Sequence, residues 1–246
     1  ISKLAHFHCA ATAEDARRLV ERLGEESWRV RCTGSPAWER LYGAAERGAR
    51  RGFAAGRRPL AVHLQHSETS RPGVAGSQFR AMAAALEEIV LARGGRVVLL
   101  APNMDEGSEN VFAAIDEVKR RPGFEFVANL PPGDFAALLA SSDVLVGNSS
   151  AGILEAPFLA LPVVNAGNRQ AGRRRAPNVV DCPSFERRAL AGAIARALEL
   201  DRDRLREGCP ALPPSPPSEA ILDVLRRVDA GLATFQKRLE GQDGRP

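Results

Sequence analysis

Short apolar runs alternate with longer amphipathic stretches along most of this chain, a pattern that predicts strand followed by helix, repeated. His6–Ala11 and Val30–Gly34 read as strands separated by a helix from about Ala13 to Leu23, and Gly34-Ser35-Pro36 stops the second strand. The charged segment Trp38–Phe53 reads as a helix running into Gly56-Arg57-Arg58-Pro59, a connector. A second series opens with the strand Leu60–Leu64. Ser77 is placed to cap a helix carrying Phe79, Met82, Leu86 and Ile89 at helical spacing and closed by Gly94-Gly95. Val97–Ala101 is apolar without alternation, as expected of a strand buried on both faces. Ser108 can cap a helix reaching Arg121. Phe124–Leu130 is a strand, Asp134–Leu139 a short helix and Val144–Val146 a buried strand. A helix from the Ser149 turn to Leu159 follows, then strands at Pro162–Asn165 and Val179-Val180. Phe185–Leu200 is a helix with Leu190, Ile194 and Leu198 on one face. The run Pro210–Pro217 is a stiff proline-rich linker. It precedes an amphipathic helix from about Ser218 to Leu239, lined by Ile221, Leu225, Val228 and Leu232.

Strands alternating with crossover helices predict an α/β fold built on a parallel, Rossmann-like sheet with helices on both faces. In such sheets ligands sit beyond the carboxyl ends of the strands. The loops leaving those ends carry Gln65-His66-Ser67, Pro102-Asn103-Met104-Asp105, Gly147-Asn148-Ser149-Ser150 and Gly167-Asn168-Arg169, so all four are expected at one edge.

Composition narrows the chemistry. The chain has 246 residues, 44% hydrophobic and 26% charged, ordinary for a globular protein. No apolar run approaches the roughly 20 residues of a membrane helix, and no signal-peptide pattern opens the chain. The net charge of +4 suits an anionic small molecule as well as nucleic acid, but basic residues are not interleaved with aromatics as single-stranded nucleic acid requires. Cys9, Cys32, Cys182 and Cys209 are far apart with no CxxC pair, which argues against a zinc site or a disulfide framework and for free thiols in a reducing cytoplasm. The expectations are therefore a cytoplasmic protein with no metal, no nucleic acid and no membrane.

The run Gly147–Pro157 followed by Asn165–Arg173 suits a nucleoside diphosphate: a buried strand, a small-residue turn opening a helix, an acidic residue further on, then a second strand and an arginine-bearing loop. Ser149 and Ser150 are placed for the diphosphate, although helix capping explains the same residues. Glu155 can accept from ribose hydroxyls, and Arg169 and Arg173 present forked donors. His66 ends a strand beside Gln65 and Ser67, while His63 within the strand suits packing.

These motifs resemble those of the hydrolysing UDP-N-acetylglucosamine 2-epimerases of sialic-acid-type pathways. The resemblance rests on Gln65-His66, Pro102–Asp105 with Gly107-Ser108, Gly147–Glu155 and Asn165–Arg173, with Ile1–His6 and Thr33–Pro36 as weaker matches, and covers about residues 1 to 200. It implies two Rossmann-like domains in the glycosyltransferase-B architecture. Here one would be complete (57–208) and the other present only as a remnant with a connector (1–56), followed by the proline-rich linker and terminal helix (209–246). It implies that UDP-N-acetylglucosamine loses UDP to give a glycal that water converts to N-acetylmannosamine, with no cofactor. It implies a catalytic role for His66, UDP contacts from Asn103, Ser149, Ser150, Glu155 and Arg169, and homodimerisation as an option that no sequence feature marks. The family's acid/base carboxylates belong upstream of the segment resembling Ile1–His6, so natural residues are expected to be missing upstream and the chain alone is expected to bind UDP with little turnover. The Tyr-Gly-Asp-Gly-type segment frequent in the family is replaced by Pro210–Pro217. A diacetamido-trideoxy UDP-hexose as substrate, a glycosyltransferase of the same architecture, and a non-catalytic nucleotide-sugar-binding module stay open as alternatives.

Overall fold

The computed structural model of the chain describes residues 3–68 and 71–227. Two compact units emerge, one made of Ile1–Glu39 and the chain from Leu212, the other of Arg40–Ala211. The elements in chain order are β1 (His8–Ala10), α1 (Ala13–Glu21), β2 (Val30–Cys32), α2 (Ala44–Arg50), β3 (Leu60–Leu64), α3 (Ala75–Ile89), β4 (Arg96–Leu100), α4 (Ser108–Val118), β5 (Phe124–Val127), α5 (Pro132–Ser141), β6 (Val144–Gly147), α6 (Ala151–Leu154), β7 (Val163–Ala166), β8 (Val179–Cys182), α7 (Arg187–Leu198), α8 (Arg202–Gly208) and α9 (Pro217–Arg227).

In the first unit β1 and β2 pair in parallel, His8 opposite Val30. Thr12 caps α1 by accepting from the Asp15 amide. The start of α9 is tied to the loop after β2: the Ser218 amide donates to Glu39 at 2.6 Å, and a Cβ on Gly34 would lie 3.0 Å from the Pro217 ring.

The second unit carries a six-stranded, all-parallel sheet in the order β5-β4-β3-β6-β7-β8. The chain winds outward from β3 to one edge, returns and builds the other half from β6, so the strand order reverses between β3 and β6. Both faces are covered, which explains strands without alternation. On one face α3, α4 and α7 bring Phe79, Met82, Leu86, Ile115, Leu190 and Ile194 against Val97, Leu99, Val144 and Val146. On the other, Leu138, Leu139 and Leu161 pack against Leu60, Val62, Leu64 and Leu145. His63 points into the first core, its ring centroid 4.4 Å from that of Phe79 and its Nδ1 3.0 Å from the Val146 carbonyl. Burial lowers its pKa to about 4, so it packs there as a neutral ring.

Four sequence expectations are corrected. Trp38–Phe53 is not one helix: a 3-10 turn over Pro36–Leu41 gives way to α2 at Gly43, whose φ of 63° breaks the regular backbone. Ser77 and Ser108 lie inside α3 and α4 rather than capping them. Ser77 Oγ donates to the Val74 carbonyl, and the residue before Ser108 is Gly107 at φ 85°. The segment after the Ser149 turn is helical only over Ala151–Leu154 before a 3-10 turn over Ala156–Leu159, because Pro157 has no amide hydrogen to continue the ladder. The short helix α8, capped by Asp201 accepting from the amides of Asp203 and Arg204, was not anticipated. The expected continuation of the terminal helix beyond Arg227 to Leu239 lies outside the described residues.

Candidate functional site

The carboxyl ends of β3 and β6 meet at the point where the strand order reverses, and the site is built outward from there. Leu64 pairs with Gly147 at the end of the register. A Cβ on Gly147 would sit 2.0 Å from the Leu64 carbonyl oxygen, and its φ is 144°, so only glycine fits. This close approach brings Asn148 beside His66. Asn148 is 1% exposed, and its amide group closes a two-way bond with the His66 backbone: the His66 amide donates to Oδ1 at 2.8 Å, and Nδ2 donates to the His66 carbonyl at 2.9 Å. The Asn148 carbonyl accepts from Gln170 Nε2 at 2.8 Å and Arg169 Nη1 at 3.4 Å. One asparagine therefore links the loops after β3, β6 and β7.

His66 recruits the loop after β4. Its Nδ1 accepts from the Asn103 amide at 3.1 Å. Asn103 Nδ2 in turn donates to Asp105, and Asp105 lies 3.8 Å from Arg169 Nη2. Burial lowers the His66 pKa to about 4, and the Arg169 charge pushes the same way, against the Asp105 charge. A backbone amide can only donate, so Nδ1 is the unprotonated nitrogen, and the neutral ring carries its hydrogen on Nε2. His66 at neutral pH is a hydrogen-bond donor rather than a base.

Ser149 and Ser150 form the turn after β6. Ser149 Oγ accepts from the Ala151 amide at 3.3 Å, a local turn bond, and Ser150, which stands at the N-cap of α6, makes no side-chain capping bond. The carbonyls of Ser149 and Ser150 accept from Gly152 and Ile153 as the turn closes. Gly152 lets this turn lie against β7: a Cβ there would be 2.8 Å from Val163 Cγ1. Gly167 does the same for the loop after β7, where a Cβ would be 2.9 Å from the Phe185 ring.

His66, Asn103 and Arg169 are thus brought into one bonded network, with Ser149 and Ser150 adjoining it through Asn148. Glu155 takes another partner. It is 6% exposed, and Arg40 donates from Nε to Oε2 at 2.9 Å and from Nη2 to Oε1 at 2.5 Å. Burial raises the Glu155 pKa, while the Arg40 hydrogen bonds and charge oppose the rise. Arg173, in contrast, is exposed. Sequence reasoning gave no role to Asn148, Gln170 or Arg40. Asn148 and Gln170 stood inside the quoted motifs, but Arg40 is 115 residues from its partner and carried no signal.

Among the described residues no group of three or more His, Cys, Asp or Glu is arranged to hold a metal ion, and no helix is long and apolar enough to cross a membrane.

A doubly wound parallel sheet with polar loops converging at its switch point defines a Rossmann-like ligand-binding domain. The chain belongs to the UDP-N-acetylglucosamine 2-epimerase family, whose profile matches residues 1–211. It is 33% identical, over 74% of its length and 48% of the relative's, to the UDP-N,N'-diacetylbacillosamine 2-epimerase (hydrolyzing) of Legionella pneumophila. It is 24% identical to the UDP-N-acetylglucosamine 2-epimerase of Neisseria meningitidis, over 97% of this chain and 62% of that one. The chain thus spans about half to three fifths of the length of these relatives. In three dimensions it is similar to the crystal structure of the Neisseria meningitidis UDP-GlcNAc 2-epimerase bound to UDP-GlcNAc, with a TM-score of 0.68 at 14% identity over 92% of this chain and 63% of that one. The Methanocaldococcus jannaschii UDP-GlcNAc 2-epimerase in complex with UDP-GlcNAc and UDP gives a TM-score of 0.67 at 12% identity, over 90% and 61%. These likenesses establish the fold, that of the glycosyltransferase-B-type epimerases.

Proposed function

We propose that this chain is the UDP-binding part of a hydrolysing UDP-sugar 2-epimerase, which converts UDP-N-acetylglucosamine and water to N-acetylmannosamine and UDP. The observation that carries the assignment is the network at the β3/β6 switch point, which gathers His66, Asn103, Asn148 and Arg169 from four loops. In the reaction the C2 proton leaves, the C1–O bond to UDP breaks, and water adds to the resulting glycal. Negative charge grows on the departing diphosphate. Arg169 is a fixed cation at this edge, and His66 offers its Nε2 hydrogen to a phosphate oxygen without changing protonation state. The Ser149–Ser150 turn supplies short side chains that leave room for phosphate oxygens, and Glu155 accepts from the ribose hydroxyls. Neither acceptor among these groups is the base for the C2 proton, since the His66 Nδ1 lone pair is committed to the Asn103 amide and the Glu155 carboxylate is paired with Arg40. That base is assigned to a carboxylate outside this chain, and the chain alone is expected to bind UDP with little turnover.

Calorimetric titration of the chain with UDP, beside Ser149→Ala and Glu155→Ala, tests the assignment. Saturable binding weakened by both changes is expected. A folded wild-type chain that binds no UDP, or N-acetylmannosamine formed by the chain alone at rates typical of an intact enzyme, would refute it. A second substrate is favoured by one finding: the relative with 33% identity is named for UDP-N,N'-diacetylbacillosamine. Both sugars share the UDP moiety, and competition of each UDP-sugar against UDP separates them.

A further inference from the structure

The Arg40–Glu155 pair is the feature that the proposed site leaves unexplained. Glu155 sits at the junction between α6 and the 3-10 turn over Ala156–Leu159, with φ −126° and ψ −48°, outside both regular helices. Its carboxylate is nearly inaccessible, yet it is ionisable and joined side-on by the Arg40 guanidinium, one hydrogen bond to each oxygen. Arg40 is itself held in place. Arg47 of α2 donates to the Arg40 carbonyl and, at 2.6 Å, to the Tyr42 carbonyl, and the Phe135 ring of α5 lies beneath the guanidinium with its centroid 5.7 Å away. An ionised carboxylate presents about four lone-pair sites, so this pairing leaves one on each oxygen. A buried pair of this kind contributes little net stability against an apolar replacement, which points to a role for the charge itself.

We propose that Arg40 is a positioning residue of the nucleotide site. It fixes the Glu155 carboxylate in one orientation through its two-pronged bond, so that the acceptor site the fork leaves unused on each oxygen receives one of the vicinal hydroxyls of a ribose. The inference rests on the assignment of Glu155 to the ribose made above, and it adds the group that keeps Glu155 competent. Among the described residues Arg40 is the charged group that acts on Glu155. Without it the burial that raises the Glu155 pKa is unopposed, and whatever fraction becomes neutral acid is a poorer acceptor for hydroxyls. Lysine in its place would keep the charge and lose the fork.

The test is titration of wild type, Arg40→Gln, Arg40→Lys and Glu155→Gln with UDP and with 2',3'-dideoxy-UDP, each at pH 8 and pH 6. The wild type is expected to prefer UDP over the dideoxy compound by about 10-fold or more, at both pH values. Arg40→Gln is expected to lose most of that preference, approaching Glu155→Gln, and to lose more of it at pH 6 than at pH 8. Arg40→Lys, which preserves the charge and is expected to fold, should fall between. The ratio of the two ligands cancels the titration of the phosphate and any general loss of stability. Wild-type discrimination retained in Arg40→Gln, or in Arg40→Lys should the glutamine variant not fold, would overturn the inference, as would tighter UDP binding in either. If wild type binds both ligands equally, or Glu155→Gln has no effect, the ribose assignment itself fails, a distinguishable result.

Discussion

Replacing Asn148 by alanine is the sharpest test of how this site is held. The change removes two hydrogen bonds, of 2.8 and 2.9 Å, between a side chain that is 1% exposed and the backbone of His66. Each such bond contributes about 1 kcal/mol net, and each backbone group left dry costs roughly 1–3 kcal/mol more. His66 is only half-buried, so water can reach part of what is vacated. The expected loss is about 3 kcal/mol, a shift of the urea midpoint of about 1 M for a slope near 2–3 kcal/mol per M, measured by far-UV circular dichroism. The bonds from Arg169 and Gln170 go to the Asn148 backbone carbonyl and survive the substitution. What is lost is the seat of His66, so UDP affinity should fall as well. Asn148→Asp sharpens the case. An introduced carboxylate still accepts from the His66 amide but, ionised, faces the His66 carbonyl with no donor; protonated, it can donate again. Its stability deficit relative to wild type should therefore be larger at pH 8 than at pH 5. A midpoint shift in Asn148→Ala below about 0.3 M, with unchanged UDP affinity, would refute the clamp.

Three further outcomes follow from the same geometry. Gly147→Ala should cost more than about 3 kcal/mol or prevent soluble expression, since the new Cβ would lie 2.0 Å from a carbonyl oxygen at φ 144°; Gly172→Ala, with open space around it and φ 77°, should cost only about 1–2 kcal/mol by the same denaturation assay. Arg169→Met should weaken UDP binding about 10-fold and raise the His66 pKa in an NMR titration, because the Arg169 charge helps hold that pKa down; an unchanged pKa would place the two side chains apart. His63 is buried neutral with a pKa of about 4 against 6.5 when unfolded, so the unfolded chain binds more protons between those values: its contribution is intact above pH 6.5 and is lost as pH falls through 4, about 3 kcal/mol in all, and His63→Phe should flatten that part of the stability–pH curve.

The parallel sheet was legible because its strands are buried on both faces and are written as unbroken apolar runs, as in Val97–Leu100 and Val144–Val146. Strand order was legible only as a class, since pairing partners such as Leu64 and Gly147 are far apart in sequence. Helix ends were read less well, and for identifiable reasons. Ser77 and Ser108 look like caps, but α3 begins two residues before Ser77, and the positive-φ Gly107 takes the cap position of α4, leaving Ser108 as its first residue. Asp201 was a readable cap signal for α8, overlooked because the helix is short and lacks a clear apolar stripe. In the site, residue types at strand ends pointed to His66, Asn103 and Arg169. The bonds that position them could not be inferred, because the side chains and backbone groups involved come from loops set together only by the sheet.

The way this edge would hold an anion also differs from what the motif first suggests. A strand, a small-residue turn and a helix normally imply that the helix dipole and its first amides receive the phosphate. Here α6 has only four residues before Glu155 leaves the helical conformation, too short to sum peptide dipoles to much effect. The Ala151 amide, moreover, is turned inward to Ser149 Oγ. The positive character of the edge therefore rests on Arg169, steered by the Asn148 carbonyl and by Asp105, and on the neutral Nε2–H of His66. These are side chains in a bonded network rather than a fixed macrodipole. It follows that nucleotide affinity should depend more strongly on the network's members, Asn148 among them, than on residues of α6. Leu154, half exposed at the end of α6, provides the comparison: Leu154→Gly should lower helicity locally yet change the UDP dissociation constant by less than about twofold, whereas Asn148→Ala changes it by far more. Equal losses from the two substitutions would return the anion site to the helix.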